Sequence, residues 1–163
     1  MMAERLHLWR VEKEIFVSTA RTGERARVAG GRWNSPGLAA IYCGESLALS
    51  VLEILVHAIT AQERADPRVW IALSLPQKVC RTVAIKRLPR GWDNPVIHPE
   101  TAAIGDRWLR SGISVALRVP SAIVPGEWNC ILNSAHPQFR KLVRWSKPVA
   151  LNLDPRLVDG APA

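Results

Sequence analysis

Six short stretches of the chain either alternate apolar with polar residues or run briefly apolar: Leu6 to Val11, Leu38 to Cys43, Val69 to Leu75, Val79 to Ile85, Ile113 to Val119 and Val149 to Leu153. Both patterns are those of strands, half-buried in the first case and fully buried in the second. One stretch differs. From Ser46 to Ile59 the positions are mostly Leu, Ala, Val and Ile, and Ser46 is suited to cap a helix start. The few polar residues of this helix, Ser46, Ser50, Glu53 and His57, are spaced four, three and four apart. At about 100° per residue they fall within roughly 60° of one another, on a single stripe. A helix of this kind is expected to be buried on most sides and to show its polar stripe to a cleft. Surface helices usually carry several Lys or Glu, whereas this one carries one Glu, so Glu53 is a candidate site residue on pattern alone.

Strands mixed with few helices make an α+β pattern. The chain of 163 residues, 48% hydrophobic, suits one compact domain with one substantial core. No repeat or low-complexity linker divides it, and the twelve prolines fall mostly between the strand runs. Residues 1–158 are expected to form the domain, with 159–163 a loose tail. The most apolar stretch, Leu47 to Ile59, is too short and interrupted to span a bilayer, and no charged segment leads into an apolar run at the N-terminus. A soluble cytoplasmic protein is the expectation.

Cys43, Cys80 and Cys130 are odd in number, far apart and without CxxC spacing, which argues for reduced thiols, each buried as a small hydrophobe, and against a zinc or other metal site. The net charge of +8 has functional content, because a basic surface attracts phosphate-bearing ligands, nucleic acids or an acidic partner. It does not choose among them. Arg21, Arg25 and Arg27 are the one tight basic group, and neither an RNA-binding aromatic pattern nor zinc-finger spacing accompanies them. The seven dispersed tryptophans read mostly as core.

Upstream of the helix lies Gly30-Gly31-Arg32-Trp33-Asn34-Ser35-Pro36-Gly37, where glycines let the backbone bend close to a ligand and Arg32 offers a forked donor for phosphate. It matches neither a P-loop nor the GxGxxG fingerprint. Tyr42 ends a strand ten residues later, and Glu53 stands on the helix after that. An Arg, an aromatic and a Glu on successive elements are the parts needed to break a nicotinamide N-glycosidic bond, whose transition state resembles an oxocarbenium ion. The guanidinium would hold the pyrophosphate, the ring would pack on the nicotinamide, and the carboxylate would bond the ribose and offset its developing charge.

Taken together, Trp9-Arg10, the Gly-Arg-Trp-Asn segment, Tyr42, Glu53-Ile54-Leu55-Val56-His57, Val119-Pro120-Ser121 and Asn129 through Pro137 resemble the RES domain, from near residue 6 to about residue 157. The resemblance implies an ADP-ribosyltransferase-like fold, NAD as substrate without a metal, and a toxin neutralised by an antitoxin protein of the Xre type. By position it makes Arg32, Tyr42 and Glu53 the catalytic set, with Arg10, Ser121 and Asn133 binding substrate; His57, one turn beyond Glu53 on the stripe, reads as a structural or supporting residue, with a general base as the alternative. Asn129-Cys130 and Asn133-Ser134-Ala135-His136-Pro137 depart from the family's Asn-Tyr and Asn-Pro-x-His-Pro, and for Asn133 and His136 a structural turn is the stronger reading. Ser121 has a turn-hydroxyl alternative. The acceptor of ADP-ribose stays open: water, inorganic phosphate, or a protein or nucleic-acid group. NAD degradation is the leading reading, macromolecular ADP-ribosylation the second, and a non-enzymatic nucleic-acid-binding module a distant third.

Overall fold

The computed structural model describes residues 4–96 and 99–158, so the expected tail lies outside the described residues. Its strands are β1 (Arg5–Lys13), β2 (Ile41–Gly44), β3 (Arg68–Pro76), β4 (Cys80–Thr82), β5 (Ala116–Pro120), β6 (Trp128–Leu132), β7 (Arg144–Trp145) and β8 (Val149–Leu151). They form one sheet in the order β4-β5-β6-β2-β1-β3-β7, with β8 also on β3. The β4–β5 pair is parallel and the other pairs are antiparallel. The described helices are α1 (Glu24–Ala29), α2 (Leu47–His57), α3 (Ala61–Ala65), α4 (Pro99–Ser111), α5 (Phe139–Leu142) and α6 (Pro155–Val158). The α+β class therefore holds, in one domain, and no described helix is long and apolar enough to cross a membrane.

Period-two alternation on the central strands fills both faces of the sheet. On β5 and β6, Ala116, Cys130 and Leu132 join Leu8, Ile41 and Leu75 in one core. Their neighbours Leu117, Val119 and Ile131 join Trp33, Trp108 and Leu109 in another. A buried side chain of this size contributes about 1.5–3 kcal/mol, so β6 between β5 and β2 is the firmest place from which to hang a functional group.

Each of the six expected strands overlaps an observed one, with β1 and β3 extending past the expected ends and β2, β4, β5 and β8 shorter than expected. β6, β7 and the longest helix, α4, were not read from the pattern. Gly105 in the middle of α4 looks like a helix breaker, but a Cβ there would lie 1.8 Å from the carbonyl oxygen of Trp33. Glycine is what lets this helix pack directly on the backbone of the Gly30–Gly37 segment. Two expectations are corrected. Helix α2 starts as expected, with the Ser46 Oγ accepting from the Leu49 N–H, but it is not buried on most sides. It packs on β1 and β2, leaving Leu52 (40% exposed), Val56 (59%) and Ile59 just beyond it (86%) in the open. Cys80, expected in the core, lies on the edge strand β4 and is only partly buried. Of the seven tryptophans, Trp33 and Trp108 are buried in the core and Trp92 and Trp145 pack against it, while Trp9, Trp70 and Trp128 are half-buried outside the core clusters.

Candidate active site

The polar stripe of α2 divides into four tasks. Ser46 caps the helix, and the Ser50 hydroxyl donates to the Trp9 carbonyl at 2.9 Å, tying α2 to β1. Gly44 makes room for that tie, because a Cβ there would sit 2.6 Å from Ser50 Oγ. Glu53 and His57 are left to face a cavity of about 910 Å³, within the size range of small-molecule sites. His57 is exposed at its rim.

Glu53 is held on one side. Its Oε1 accepts from Asn129 Nδ2 on β6 and, at 3.3 Å, from Ser121 Oγ just past β5. Ser121 is itself fixed, because the same Oγ accepts from the backbone N–H groups of Ile123 and Val124 at 3.1 Å. Glu53 Oε2 has no hydrogen-bond partner among the described residues, which leaves one carboxylate oxygen available to a ligand. Asn129 was not singled out as a site residue from the sequence. Its place in the segment shared with the RES domain was the available signal, and its proximity to Glu53 depends on the β2–β6–β5 pairing, which residue spacing does not give.

Tyr42 lies on β2 with its ring on the cavity wall, but its hydroxyl is occupied. It accepts from the Trp33 N–H at 3.0 Å and donates to Asn34 Oδ1 at 2.7 Å. Asn34, 1% exposed, spends its amide protons on the carbonyls of Ala26, Leu38 and Ser35. Tyr42 and Asn34 thus clamp the Gly30–Gly37 turn from one side. Asp106 of α4 supports it from the other by accepting from the Ser35 N–H at 2.8 Å. Burial drives the Tyr42 hydroxyl far above its ordinary range, against the lowering effect of the Trp33 N–H, so it stays protonated at neutral pH and offers the site its ring face. Gly31 is required here because a Cβ would meet Tyr42 Oη at 2.6 Å.

The same turn presents Arg32. Its two terminal nitrogens donate to the carbonyls of Trp92 (2.6 Å) and Asn94 (2.8 Å), and the Trp33 and Trp92 rings pack with centroids 6.4 Å apart. Arg32 therefore holds the segment that contributes Asp93 and Pro95 to the cavity wall. Both partners are neutral, so its charge is uncompensated, and the remaining N–H groups of its five have no described protein partner. Arg10, also on the wall, donates to the Tyr42 carbonyl at 3.0 Å and to Glu12. Glu12, 1% exposed, is shared with Arg25, so one carboxylate balances two guanidinium groups.

Arg10, Arg32, Tyr42, Glu53, Ser121 and His57 are thus gathered at one cavity, five on its wall and Ser121 through its bond to Glu53. Asn133 is not. It is 2% exposed, donates to the Leu109 carbonyl at 2.9 Å and accepts from the Ala135 N–H at 3.1 Å. That makes it a turn residue on the α4 side of the sheet, and its assignment to substrate binding is withdrawn. His136 shares that turn, bonding the Gln138 N–H through Nδ1. Among the described residues there is no group of three or more His, Cys, Asp or Glu able to hold a metal ion.

Comparison with known proteins gives a consistent set of similarities. Residues 7–154 match the family model described as the RES domain. The chain is 36% identical over 151 residues to "Toxin Res" of Photorhabdus laumondii, covering 93% of this chain and 96% of that protein. It is 31% identical over 163 residues to the "Prs ADP-ribosylating toxin" of a Sphingobium species, covering 94% and 97%. Among solved structures, a chain of the M. tuberculosis MbcT–MbcA toxin–antitoxin complex superposes with a TM-score of 0.72 over 97% of this chain and 89% of that one, at 19% identity. At that identity the last similarity speaks for the fold alone.

Proposed function

Since the chain belongs to the RES domain family, we propose that it is a toxin whose activity is to split the nicotinamide N-glycosidic bond of NAD. The observation that carries this reading is Glu53: a carboxylate on the wall of a 910 Å³ cavity, one oxygen fixed by Asn129 and Ser121 and the other without a partner among the described residues. As the bond to nicotinamide lengthens, positive charge builds on the ribose, and a carboxylate already oriented stabilises that charge with little reorganisation. The Tyr42 ring is the surface on which the departing nicotinamide packs. Arg32, whose partners among the described residues are carbonyls and not carboxylates, takes the pyrophosphate while keeping the Trp92–Asn94 segment as a wall.

ADP-ribose is then passed to water or inorganic phosphate, depleting NAD. Incubating the pure protein with NAD, with and without phosphate, and identifying products by mass spectrometry tests this. Free nicotinamide without added macromolecule is expected, and NAD intact after hours overturns the reading. A second reading, transfer of ADP-ribose to a protein, is favoured by the printed name of the Sphingobium relative. It predicts nicotinamide release only when cell extract is supplied, with label appearing on a macromolecule.

For partner, we infer an antitoxin of the Xre type, an acidic or amphipathic segment of which covers the cavity. The net charge of +8 and the toxin–antitoxin complex that shares the fold support this. Co-expression should restore growth and silence the purified complex toward NAD. A complex that rescues growth yet turns over NAD at full rate rules the steric mode out.

A further inference from the structure

Two of the three cysteines meet. Cys80 on the edge strand β4 and Cys130 on β6 have their sulfurs 3.9 Å apart, reaching past β5, which runs between the two strands. They are not equivalent. Cys130 is fully buried, whereas Cys80 is partly exposed and opens onto a second cavity of about 270 Å³, lined also by Leu6, Glu45, Gln77, Thr82 and Arg118. Arg118 is bound there to Glu45 and stacked over Trp128 at 4.2 Å. Cys43 is buried too, directly opposite Cys130 in the β2–β6 register, but only Cys80 and Cys130 bring their sulfurs into contact among the described residues.

We propose that Cys80 and Cys130 are a peroxide-sensitive thiol pair, in which Cys80 is the thiol oxidised and Cys130 the thiol that resolves it to a disulfide. Access, a neighbouring guanidinium and a second thiol in contact are the features that mark oxidation-sensitive cysteines. The contact agrees: the two sulfurs share a hydrogen bond, which holds the Cys80 thiol below its usual range and Cys130 above it. In the first step the Cys80 thiolate attacks one oxygen of hydrogen peroxide. The S–O bond forms, the O–O bond breaks and hydroxide leaves, to be protonated by solvent. In the second step the Cys130 sulfur attacks the Cys80 sulfenic acid, the S–S bond forms, and the hydroxyl departs with the Cys130 proton as water. Peroxide is reduced to two waters and the two thiols lose two hydrogens.

The step has a structural consequence. Cys80 pairs with Ala116 and Cys130 with Arg118, so β4 and β6 are two strand spacings apart. That is about 9.6 Å across a flat sheet before the two-residue offset between Ala116 and Arg118 is added, beyond the Cα separation of about 7 Å that a disulfide tolerates without backbone movement. Closing the bond draws the three-residue β4 toward β6, one residue from Asn129, which orients Glu53. The pair therefore links redox state to the site, and that consequence rests on the NAD reading above.

Treating the whole protein with hydrogen peroxide, then mapping peptides by mass spectrometry, tests the pair without reference to NAD. A linked Cys80–Cys130 peptide, reversed by dithiothreitol, is expected in the wild type. A dimedone adduct on Cys80 ahead of Cys43 is expected in Cys130→Ala. Absence of the linked peptide in the folded wild type, or oxidation of Cys43 before Cys80, overturns the proposal. NAD turnover of the same samples separates the two readings. Turnover falling in step with the cross-link and returning on reduction supports the consequence, and full turnover in cross-linked protein removes it while the pair stands. No turnover in the reduced protein counts against the NAD reading alone.

Discussion

Replacing Glu53 by Gln keeps its shape and removes its charge, and the surroundings dictate how the amide sits. Two donors, Asn129 Nδ2 and Ser121 Oγ, converge on Oε1, so the glutamine carbonyl must take that place and the NH₂ must occupy the free position. Both bonds persist but lose charge assistance, about 1 kcal/mol each, or about 2 kcal/mol of stability. For a chain of this length that lowers the Tm by roughly 4–8 °C. The chemical loss is separate. Removing one preorganised electrostatic partner costs about 3–4 kcal/mol in the transition state, or roughly 10²–10³ in rate. Nicotinamide release, NAD affinity by calorimetry and Tm are measured on one preparation. A rate loss of that order with nearly unchanged NAD affinity is expected. A folded Glu53→Gln protein that turns over NAD at near-normal rate refutes the role of the carboxylate. A drop in affinity as large as the drop in rate refutes its action on the transition state alone.

Tyr42→Phe keeps the ring but strands the Trp33 N–H and Asn34 Oδ1, so stability falls by about 1–3 kcal/mol while kcat of the folded fraction changes by less than about tenfold; a larger kcat loss at unchanged fold means that the hydroxyl takes part in the chemistry. Gly31→Ala forces a Cβ to 2.6 Å from Tyr42 Oη and costs about 1–3 kcal/mol of strain, with turnover falling alongside Tm; an unperturbed melt contradicts the close approach. Arg32→Ala frees the Trp92–Asn94 segment and removes the phosphate partner, so KM should rise more than kcat falls, and an unchanged KM excludes Arg32 from ligand contact. Burial lifts the Cys43 thiol from its ordinary 9.0 to about 12. The folded state thus keeps a proton that the unfolded chain releases, and this contribution to stability, intact below pH 9, is lost as pH rises toward 12. Chemical denaturation across that window should slope less steeply in Cys43→Ala, and an identical slope counts against the burial.

The sequence made Glu53 legible because helical period turns four scattered polar residues into one stripe, and that geometry needs no tertiary information. It mispredicted the other side of α2 for the complementary reason. An apolar composition says that a helix can be buried, while whether Leu52, Val56 and Ile59 are covered depends on what packs there; α2 packs mainly on β1 and β2, and these three residues stay exposed. α4 escaped notice because Gly105 and its charged residues dilute the apolar period, and the use of that glycine is a contact with the Trp33 backbone 72 positions earlier in the chain. Asn129 is a case of the same kind. Its role follows from β6 lying between β2 and β5, a pairing between strands far apart in sequence, whereas Asn133, four residues on, looks equally polar and points its amide into a turn.

Which arginine meets phosphate can be argued from charge balance. Arg10 and Arg25 share the buried Glu12, and the Arg10 guanidinium also holds the Tyr42 carbonyl, so an anion bound there competes with a carboxylate already in place. Arg32 has only carbonyl partners, and an anion reaching it displaces nothing charged. Between uncompensated charges, attraction at 4 Å is about 4 kcal/mol at an effective dielectric of 20, a pull that Arg10 has largely spent on Glu12. Among the described residues lining the cavity, Arg32 is a positive group whose partners are carbonyls and Glu53 a carboxylate whose second oxygen has no partner; Arg68 is likewise bonded to carbonyls, but it is buried at 6% exposure. A ligand suited to both is anionic at one end and becomes cationic at the other as it reacts. A dinucleotide whose pyrophosphate lies near Arg32 while its nicotinamide ribose lies against Glu53 meets both conditions. A neutral nucleoside would use Glu53 alone, so nicotinamide riboside should be cleaved with a KM far above that of NAD and one insensitive to Arg32→Ala. Equal KM values for the two substrates would detach Arg32 from phosphate binding and leave it as the tether of the Trp92–Asn94 segment.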